Sequence, residues 1–345
     1  MRILLTADPM IPVPPTGYGG IERIVDALIR AYRAEGHQVA LLARDSSTAA
    51  ADARFGWPVS RVSGVAATLR NALALRRTVG MFRPDVVHSF SRLAYLVPLL
   101  GRGTPVVMSY QRHTGGRQTS LAARFGGNSL RFTGCSEYIC HMARPHGGTW
   151  QAIPNFIEPE RFTFASHVPA DAPLVFLSRV EDIKGPDTAI AIARASGRRL
   201  IIAGNRSDSG AQREFFDREI QPRIGREGIE WIGEVNDEQK NRVLGSAAAL
   251  VVPIRWDEPF GIVFAEALAC GTPVITCPRG ATPEIVIDGT TGFLIRNVDE
   301  GRTAVRRLDF INRARCRRDA EERFSAARVA HRYLDLYGDL VERNR

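Results

Sequence analysis

The sequence predicts an α/β protein of two doubly wound domains facing each other across a cleft, and three observations carry that prediction. Short apolar runs alternate with amphipathic stretches along nearly the whole chain, the pattern of strands and crossover helices in a parallel sheet. The alternation breaks once, at residues 155–172, where prolines appear and periodicity is lost, and then it restarts. The length, 345 residues, suits two domains of ordinary size, each able to bury its own core.

The elements follow in order. Residues 2–7 (RILLTA) read as a buried strand, and the proline- and glycine-rich loop PMIPVPPTGYGG follows. Ile21, Ile24, Val25, Leu28, Ile29 and Tyr32 then recur at helical spacing up to Gly36. Residues 38–43 are strand-like, 65–81 helical, and PDVVHSF holds a short strand around Val86 and Val87. A short helix at 92–100 leads to TPVVMSY, and LRFTGCS and TWQAIP complete the first half. The second half begins with the strand PLVFLSR, the loop VEDIKG and a helix opened by Pro186. It continues through RLIIAG, the helix EFFDREIQPRI, IEWIGEV, the helix DEQKNRVLGSA, ALVVPI and the helix FGIVFAEALAC capped by Gly271. PVITC and GFLI are short strands, and 300–345 is helical and arginine-rich. The expected domains are residues 1–165 and 171–325. In such sheets ligands bind beyond the carboxyl ends of the strands.

Composition narrows the class. Apolar residues make up 44% and charged residues 24%, the balance of a globular protein rather than of a disordered chain or a fibre. No apolar run reaches the length of a membrane span, and the N-terminus reads as a first strand rather than a leader. Cys135, Cys140, Cys270, Cys277 and Cys316 are too scattered for a disulfide framework, which points to a reduced, cytoplasmic protein. The formal charge is +9, and of 46 basic residues only Lys184 and Lys240 are lysines. So extreme an arginine bias reflects genome-wide codon usage, leaving much of the charge as solvated surface. The excess still favours anionic partners. No RNP, KH or zinc-finger spacing points to nucleic acid, and Cys135, Cys140, His141 and His146 match no zinc pattern.

Three motifs fall just after predicted strands. Gly19-Gly20-Ile21-Glu22 opens the first helix, where glycine lets backbone amides approach a phosphate or sugar oxygen. It is neither a dinucleotide fingerprint nor a P-loop, and a flexible turn would look the same. Arg179 and Lys184 bracket the first loop of the second half, two cations suited to a diphosphate, or else a basic loop neutralised by Glu181 and Asp182. The strongest signal runs from Glu258 to Glu266, EPFGIVFAE. Pro259 is expected to start a helix, Gly261 to leave its first amides accessible, and Glu266 to lie two turns in. Two carboxylates flanking an anion-binding helix end can grip hydroxyls on both sides of a phosphate.

The GGIE loop, SRVEDIKG, and EPFGIVFAEALACGTPVI followed by PEIVIDGTTGFLI resemble glycosyltransferase family 4. Those are retaining, nucleotide-sugar-dependent enzymes of GT-B fold. The resemblance spans most of the chain and is most specific from about 173 to 295. It implies that Arg179 and Lys184 hold the donor diphosphate, Glu258 the donor sugar and Glu266 the ribose. It assigns the backbone amides of Phe260, Gly261, Ile262 and Val263 to sugar or phosphate oxygens, Gly19 and Gly20 to the phosphate, and Gly233 to Val235 to the base. A final helix (326–345) would cross back to the first domain. Many relatives carry a histidine after the strand that here reads VVMSY; this chain has Gln111 there and His113 two residues on. His88 matches a common family position, and a lone histidine is also an ordinary core residue. No Asp-x-Asp pair occurs, in keeping with a donor diphosphate met by cations and helix ends rather than metal.

The implied reaction moves a sugar from a nucleoside diphosphate to a hydroxyl acceptor: a glycan, a lipid or a small molecule. Retention without an enzymic nucleophile implies front-face attack, with the leaving phosphate taking the acceptor proton. A sugar-nucleotide epimerase and a non-catalytic nucleotide-sugar-binding protein are the alternatives. The first needs acid–base carboxylates of its own, which no motif supplies. Residues 112–131, basic with apolar residues between, read as a solvated loop and helix, or as a weak contact with an anionic membrane or an acidic acceptor.

Overall fold

The computed structural model describes residues 1–17, 19–61 and 64–344. Tyr18, in the glycine-rich loop, and Arg345, at the end of the last expected helix, lie outside the described residues. The chain divides into two compact units, Met1–Asn155 with Ala326–Arg345, and Phe156–Ser325.

The first unit runs β1 (Arg2–Thr6), α1 (Gly20–Ala34), β2 (Gln38–Ala43), β3 (Ala53–Gly56), α2 (Gly64–Phe82), β4 (Val86–Ser89) and α3 (Leu93–Leu96). It continues with β5 (Val106–Tyr110), α4 (Gly116–Gly126), β6 (Leu130–Gly134), α5 (Glu137–Ala143) and β7 (Trp150–Ala152). The second holds β8 (Leu174–Leu177), α6 (Pro186–Ser196), β9 (Leu200–Ala203), α7 (Gly210–Phe215), β10 (Ile229–Gly233), α8 (Asp237–Ser246) and β11 (Ala249–Val252). Then come α9 (Ile262–Ala269), β12 (Val274–Thr276), α10 (Thr282–Ile285), β13 (Gly292–Leu294), α11 (Val298–Arg306) and α12 (Arg313–Phe324). The last helix, α13 (Ala326–Glu342), groups with the first unit.

Each unit is built on one parallel sheet, in the orders β3-β2-β1-β4-β5-β6-β7 and β10-β9-β8-β11-β12-β13. The central strands read as continuous apolar runs because helices cover both faces. Alternation of apolar and polar residues is absent from β8 and β11, whose residues are all buried. Strand order reverses between β1 and β4 in one sheet and between β8 and β11 in the other. These are the switch points at which α/β sheets leave space for ligands.

Three local expectations change. Residues 53–56 form an edge strand on β2 whose side chains are half-exposed, too short and polar a run to stand out in the sequence. Residues 156–165, expected with the first domain, group with the second unit. Ile157 N–H donates to the Phe324 carbonyl at 2.8 Å, Ala165 N–H donates to that of Cys270 at 3.0 Å, and the buried Arg313 guanidinium donates to the Ala165 carbonyl at 2.7 Å. Such bonds between distant residues leave no local pattern. The third change is the start of α9, described below. Among the described residues no helix is long and apolar enough to cross a membrane.

Candidate active site

In the second unit the loops after β8 and β11 lie on either side of the switch point. The first carries Arg179 and Lys184, and the second Trp256, Glu258 and Gly261. Two close approaches hold these loops. Gly185 has φ +73°, and a Cβ there would lie 2.2 Å from the Pro253 carbonyl oxygen, so only glycine lets the chain pass. Gly280 has φ +60°, and its Cβ would lie 2.4 Å from the Glu258 carbonyl oxygen, which accepts the Ala281 N–H at 2.8 Å. Arg255 ties the two loops further. Its backbone N–H donates to the Ile183 carbonyl at 2.8 Å, and its guanidinium donates to Asp187 at 2.6 Å and Thr188 Oγ1 at 2.9 Å.

The result is a pre-formed ion pair. Lys184 Nζ lies 2.7 Å from Glu258 Oε2, and each side chain is 12% exposed. Trp256 Nε1 donates to the same carboxylate oxygen at 3.0 Å, and the ammonium stands 4.6 Å from the centroid of the Trp256 ring. The lysine is thus held by a charge and by an aromatic face at once.

A second pair forms on the neighbouring helices. Lys240 Nζ of α8 lies 2.6 Å from Glu266 Oε1 of α9, with 21% and 14% of the side chains exposed. The chain's two lysines are therefore matched to the two glutamates that frame EPFGIVFAE. Lys240 and Trp256 were not singled out in the sequence. The rarity of lysine, which marked Lys184, was available as a signal for Lys240. Trp256 had none beyond its place two residues before Glu258. Beside Glu266, burial pushes the Cys270 thiol up to about 12, with the Glu266 charge adding to the effect.

Helix α9 begins at Ile262, with Gly261 as its cap at φ +85°, so Pro259 does not start it. The Phe260 ring is 2% exposed and meets Phe324 edge-on at 5.6 Å, which holds residues 259–260 out of the helical path. Gly261, Ile262 and Val263 are half-buried at the helix start, whereas the Phe260 side chain belongs to the core. Val235 precedes Asn236, whose side chain caps α8 in a reciprocal bond with Gln239. The Gly233 carbonyl accepts the Gly204 N–H at 2.7 Å, drawing that turn to the end of β9. Arg179 is not a member of the Lys184–Glu258 pair: its side chain is 54% exposed and pairs with Glu181 at 2.7 Å.

In the first unit Gly19 is buried and Gly20 begins α1. Glu22, in the first turn of α1, is 5% exposed; burial raises its carboxyl pKa, its backbone hydrogen bond opposes this, and Asp8 adds to it. His88 is fully buried: Nδ1 meets the Tyr337 hydroxyl and Nε2 lies 2.6 Å from Ser109 Oγ. Burial lowers its pKa to about 3. Its surroundings are β5 and α13 and both ring nitrogens are already occupied, so of its two readings, a sugar-side group or an ordinary core residue, the structure favours the core residue. Gln111 follows β5 and is half-buried, and its Oε1 is buried with no hydrogen-bond partner. His113 is exposed. Among the described residues, no group of three or more His, Cys, Asp or Glu side chains could hold a metal ion.

Comparison with known proteins identifies the family. Residues 162–324 match the family described as glycosyl transferases group 1, and residues 18–161 match Glycosyltransferase Family 4. The chain is 30% identical over 351 aligned residues to a glycogen synthase of Mycobacterium tuberculosis (strain CDC 1551 / Oshkosh), covering 85% of this chain and 81% of that protein. It is 30% identical to a D-inositol 3-phosphate glycosyltransferase of Stackebrandtia nassauensis over 60% of this chain and 53% of that one. Among solved structures it resembles AviGT4, a glycosyltransferase involved in avilamycin A biosynthesis, at 27% identity and TM-score 0.73 over 99% of this chain and 98% of that one. The fold is shared with Anabaena Alr3699/HepE in complex with UDP, at 16% identity and TM-score 0.74 over 98% of this chain and 100% of that one. With two parallel-sheet units, a Lys–Glu pair at a switch point and matches over both halves, the chain belongs to the group 1 and family 4 glycosyltransferases, nucleotide-sugar-dependent enzymes of GT-B fold.

Proposed function

We propose that this enzyme transfers a sugar, with retention of anomeric configuration, from a nucleoside-diphosphate sugar to a hydroxyl acceptor, and that its second unit binds the donor. The observation that carries the reading is the Lys184–Glu258 pair, 2.7 Å apart at the switch point between β8 and β11.

An arriving diphosphate competes with Glu258 for Lys184. Exchange of partners places the ammonium on phosphate oxygens and frees Glu258 to accept hydrogen bonds from sugar hydroxyls. Each charge-assisted bond contributes about 1.5–3 kcal/mol. Arg179, exposed on the same loop, adds a bidentate cation. The first amides of α9 meet the sugar or phosphate oxygens. Glu266 takes the ribose, oriented by Lys240. By the family resemblance, Gly233 to Val235 are assigned to the base, and Gly19 and Gly20 to the phosphate. Chemistry is then chiefly stabilisation of the charge that develops on the departing diphosphate. With no side chain assigned as nucleophile, the leaving oxygen takes the acceptor proton in a front-face attack. Gln111, with its unpartnered oxygen, and His113 are assigned to the sugar and acceptor side.

The relatives support a hydroxyl acceptor, being named for glycogen synthesis and for glycosyl transfer to inositol 3-phosphate. A structural neighbour holding UDP supports a nucleoside diphosphate. The test is a thermal-shift screen of UDP-, GDP-, ADP- and dTDP-sugars. A ligand at 100 times its Kd adds about 2.7 kcal/mol of stability. One base should stand out, and Lys184→Ala should abolish its shift and lower kcat. No shift with any donor, or full turnover in both Lys184→Ala and Glu258→Ala, would overturn the reading.

A further inference from the structure

The charge of the chain is unevenly placed. Residues 53–136 contain twelve arginines and one carboxylate, Asp85, a net +11 against +9 for the whole chain. The other residues together are therefore slightly acidic, and the basic excess belongs to one continuous stretch of the first unit.

That stretch also carries most of the unit's exposed large apolar side chains. On α4 one face presents Arg117, Leu121, Arg124 and Phe125, residues spaced three or four apart, with Leu121 58% and Phe125 62% exposed. The opposite face, Thr119 and Ala122, is buried. Beside α4, α3 and its one-turn continuation present Val97, 61% exposed. Between them lies an open apolar groove of about 440 Å³, lined by Leu93, Val97, Leu100, Leu121, Ala122 and Phe125 among others. Helix α2 packs against α3 and shows a row at helical spacing, Val65, Leu69 and Leu73, each at least 50% exposed. Around these residues Arg70, Arg76, Arg77, Arg112, Arg117 and Arg124 are exposed, and among the described residues none has a carboxylate partner.

We propose that this face of the first unit docks on an anionic lipid surface, with Leu121 and Phe125 entering the apolar layer and the arginines meeting the headgroups. Charge complementarity selects this occupant. Apolar side chains interleaved with unpaired cations, and almost no carboxylates, match a surface with a hydrocarbon layer beneath a sheet of negative charge. A polyanion alone would leave Leu121, Phe125 and Val97 in water. A protein partner of ordinary composition would offer no reason for the near-absence of acid over 84 residues. Docking of this kind does not depend on which sugar, base or acceptor the enzyme uses.

The experiment is co-sedimentation of the full chain with vesicles of phosphatidylcholine, with or without phosphatidylglycerol. Binding is expected with the mixed vesicles, little with phosphatidylcholine alone, and added salt should weaken it. Leu121→Ser with Phe125→Ser should lower the partition coefficient by at least about tenfold. Arg117→Glu and Arg124→Glu should each lower it by about fivefold or more. All four positions are on a solvent face, so unchanged melting temperatures will show that the variants fold. Equal binding to neutral vesicles would overturn the proposal. So would full retention by the Leu121/Phe125 variant, or tighter binding to a single-stranded oligonucleotide than to anionic vesicles.

Discussion

Replacing Lys184 with methionine removes one charge from a pair 2.7 Å long whose members are each 12% exposed. At an effective dielectric constant near 20, the direct attraction at that separation is about 6 kcal/mol, much of it offset by the desolvation of both groups. Breaking a fully buried pair costs about 3–5 kcal/mol, because the remaining charge is left buried without its partner. Glu258 keeps the Trp256 N–H at 3.0 Å, and the methionine fills the space over the indole ring. The expected loss in Lys184→Met is therefore about 3 kcal/mol, at the lower edge of that range. Glu258→Gln should cost less, since Lys184 keeps the Trp256 face. The double variant, which leaves no stranded charge, should be more stable than the sum of the two losses implies, by about 1.5 kcal/mol or more. Urea unfolding of all four proteins, followed by tryptophan fluorescence, measures this cycle. Losses that add to within about 0.5 kcal/mol would mean that the pair contributes nothing as a pair. The exchange of partners proposed for donor binding would then have no basis.

Three further outcomes are expected. Gly185→Ala puts a Cβ 2.2 Å from the Pro253 carbonyl at φ +73°; a loss of about 2–4 kcal/mol in urea unfolding and weaker donor binding should follow, and a fully stable variant would refute the close approach. Trp256→Phe keeps a ring under Lys184 but removes the N–H on Glu258; about 1.5 kcal/mol of stability should be lost in the same assay, and no loss would mean that the bond is not made in solution. His88 remains neutral in the folded protein down to about pH 3, while the unfolded chain takes up its proton near 6.5. Protons therefore favour the unfolded state as pH falls through that window, by about 2 kcal/mol at pH 5. His88→Asn should be less stable at pH 7 yet flatter between pH 6.5 and 4. A parallel pH profile for the two proteins would show that His88 is not the group responsible.

Much of the fold was legible because it is written in short-range patterns. The run 38–43 and the opening of α6 at Pro186 appear where the sequence places them, and the run 249–254 forms a strand over its first four residues. Strand and helix each depend on neighbours a few residues away. Glycines mark where the chain turns, as at Gly197 after α6 and Gly271 after α9. The candidate donor residues were legible as a motif, since Glu258 to Glu266 combines a glycine-opened helix start with two acids. By contrast, the start of α9 shifted by three residues because Phe260 found a partner in Phe324, 64 positions away. Residues 156–165 joined the second unit through bonds to Cys270 and Arg313.

The sequence by itself determined the parallel α/β character, the two-part organisation and which residue types stand at the strand ends, because periodicity, proline and glycine act locally. Only the tertiary structure decided that Lys184 meets Glu258, 74 positions later, and that Lys240 meets Glu266. It also decided that His88 is sealed against α13 while Leu121 and Phe125 stay in water. Those outcomes depend on β8 lying next to β11 and on which helix covers which face of a sheet. Strand order and burial are properties of the assembled layers, and no window of the chain contains them.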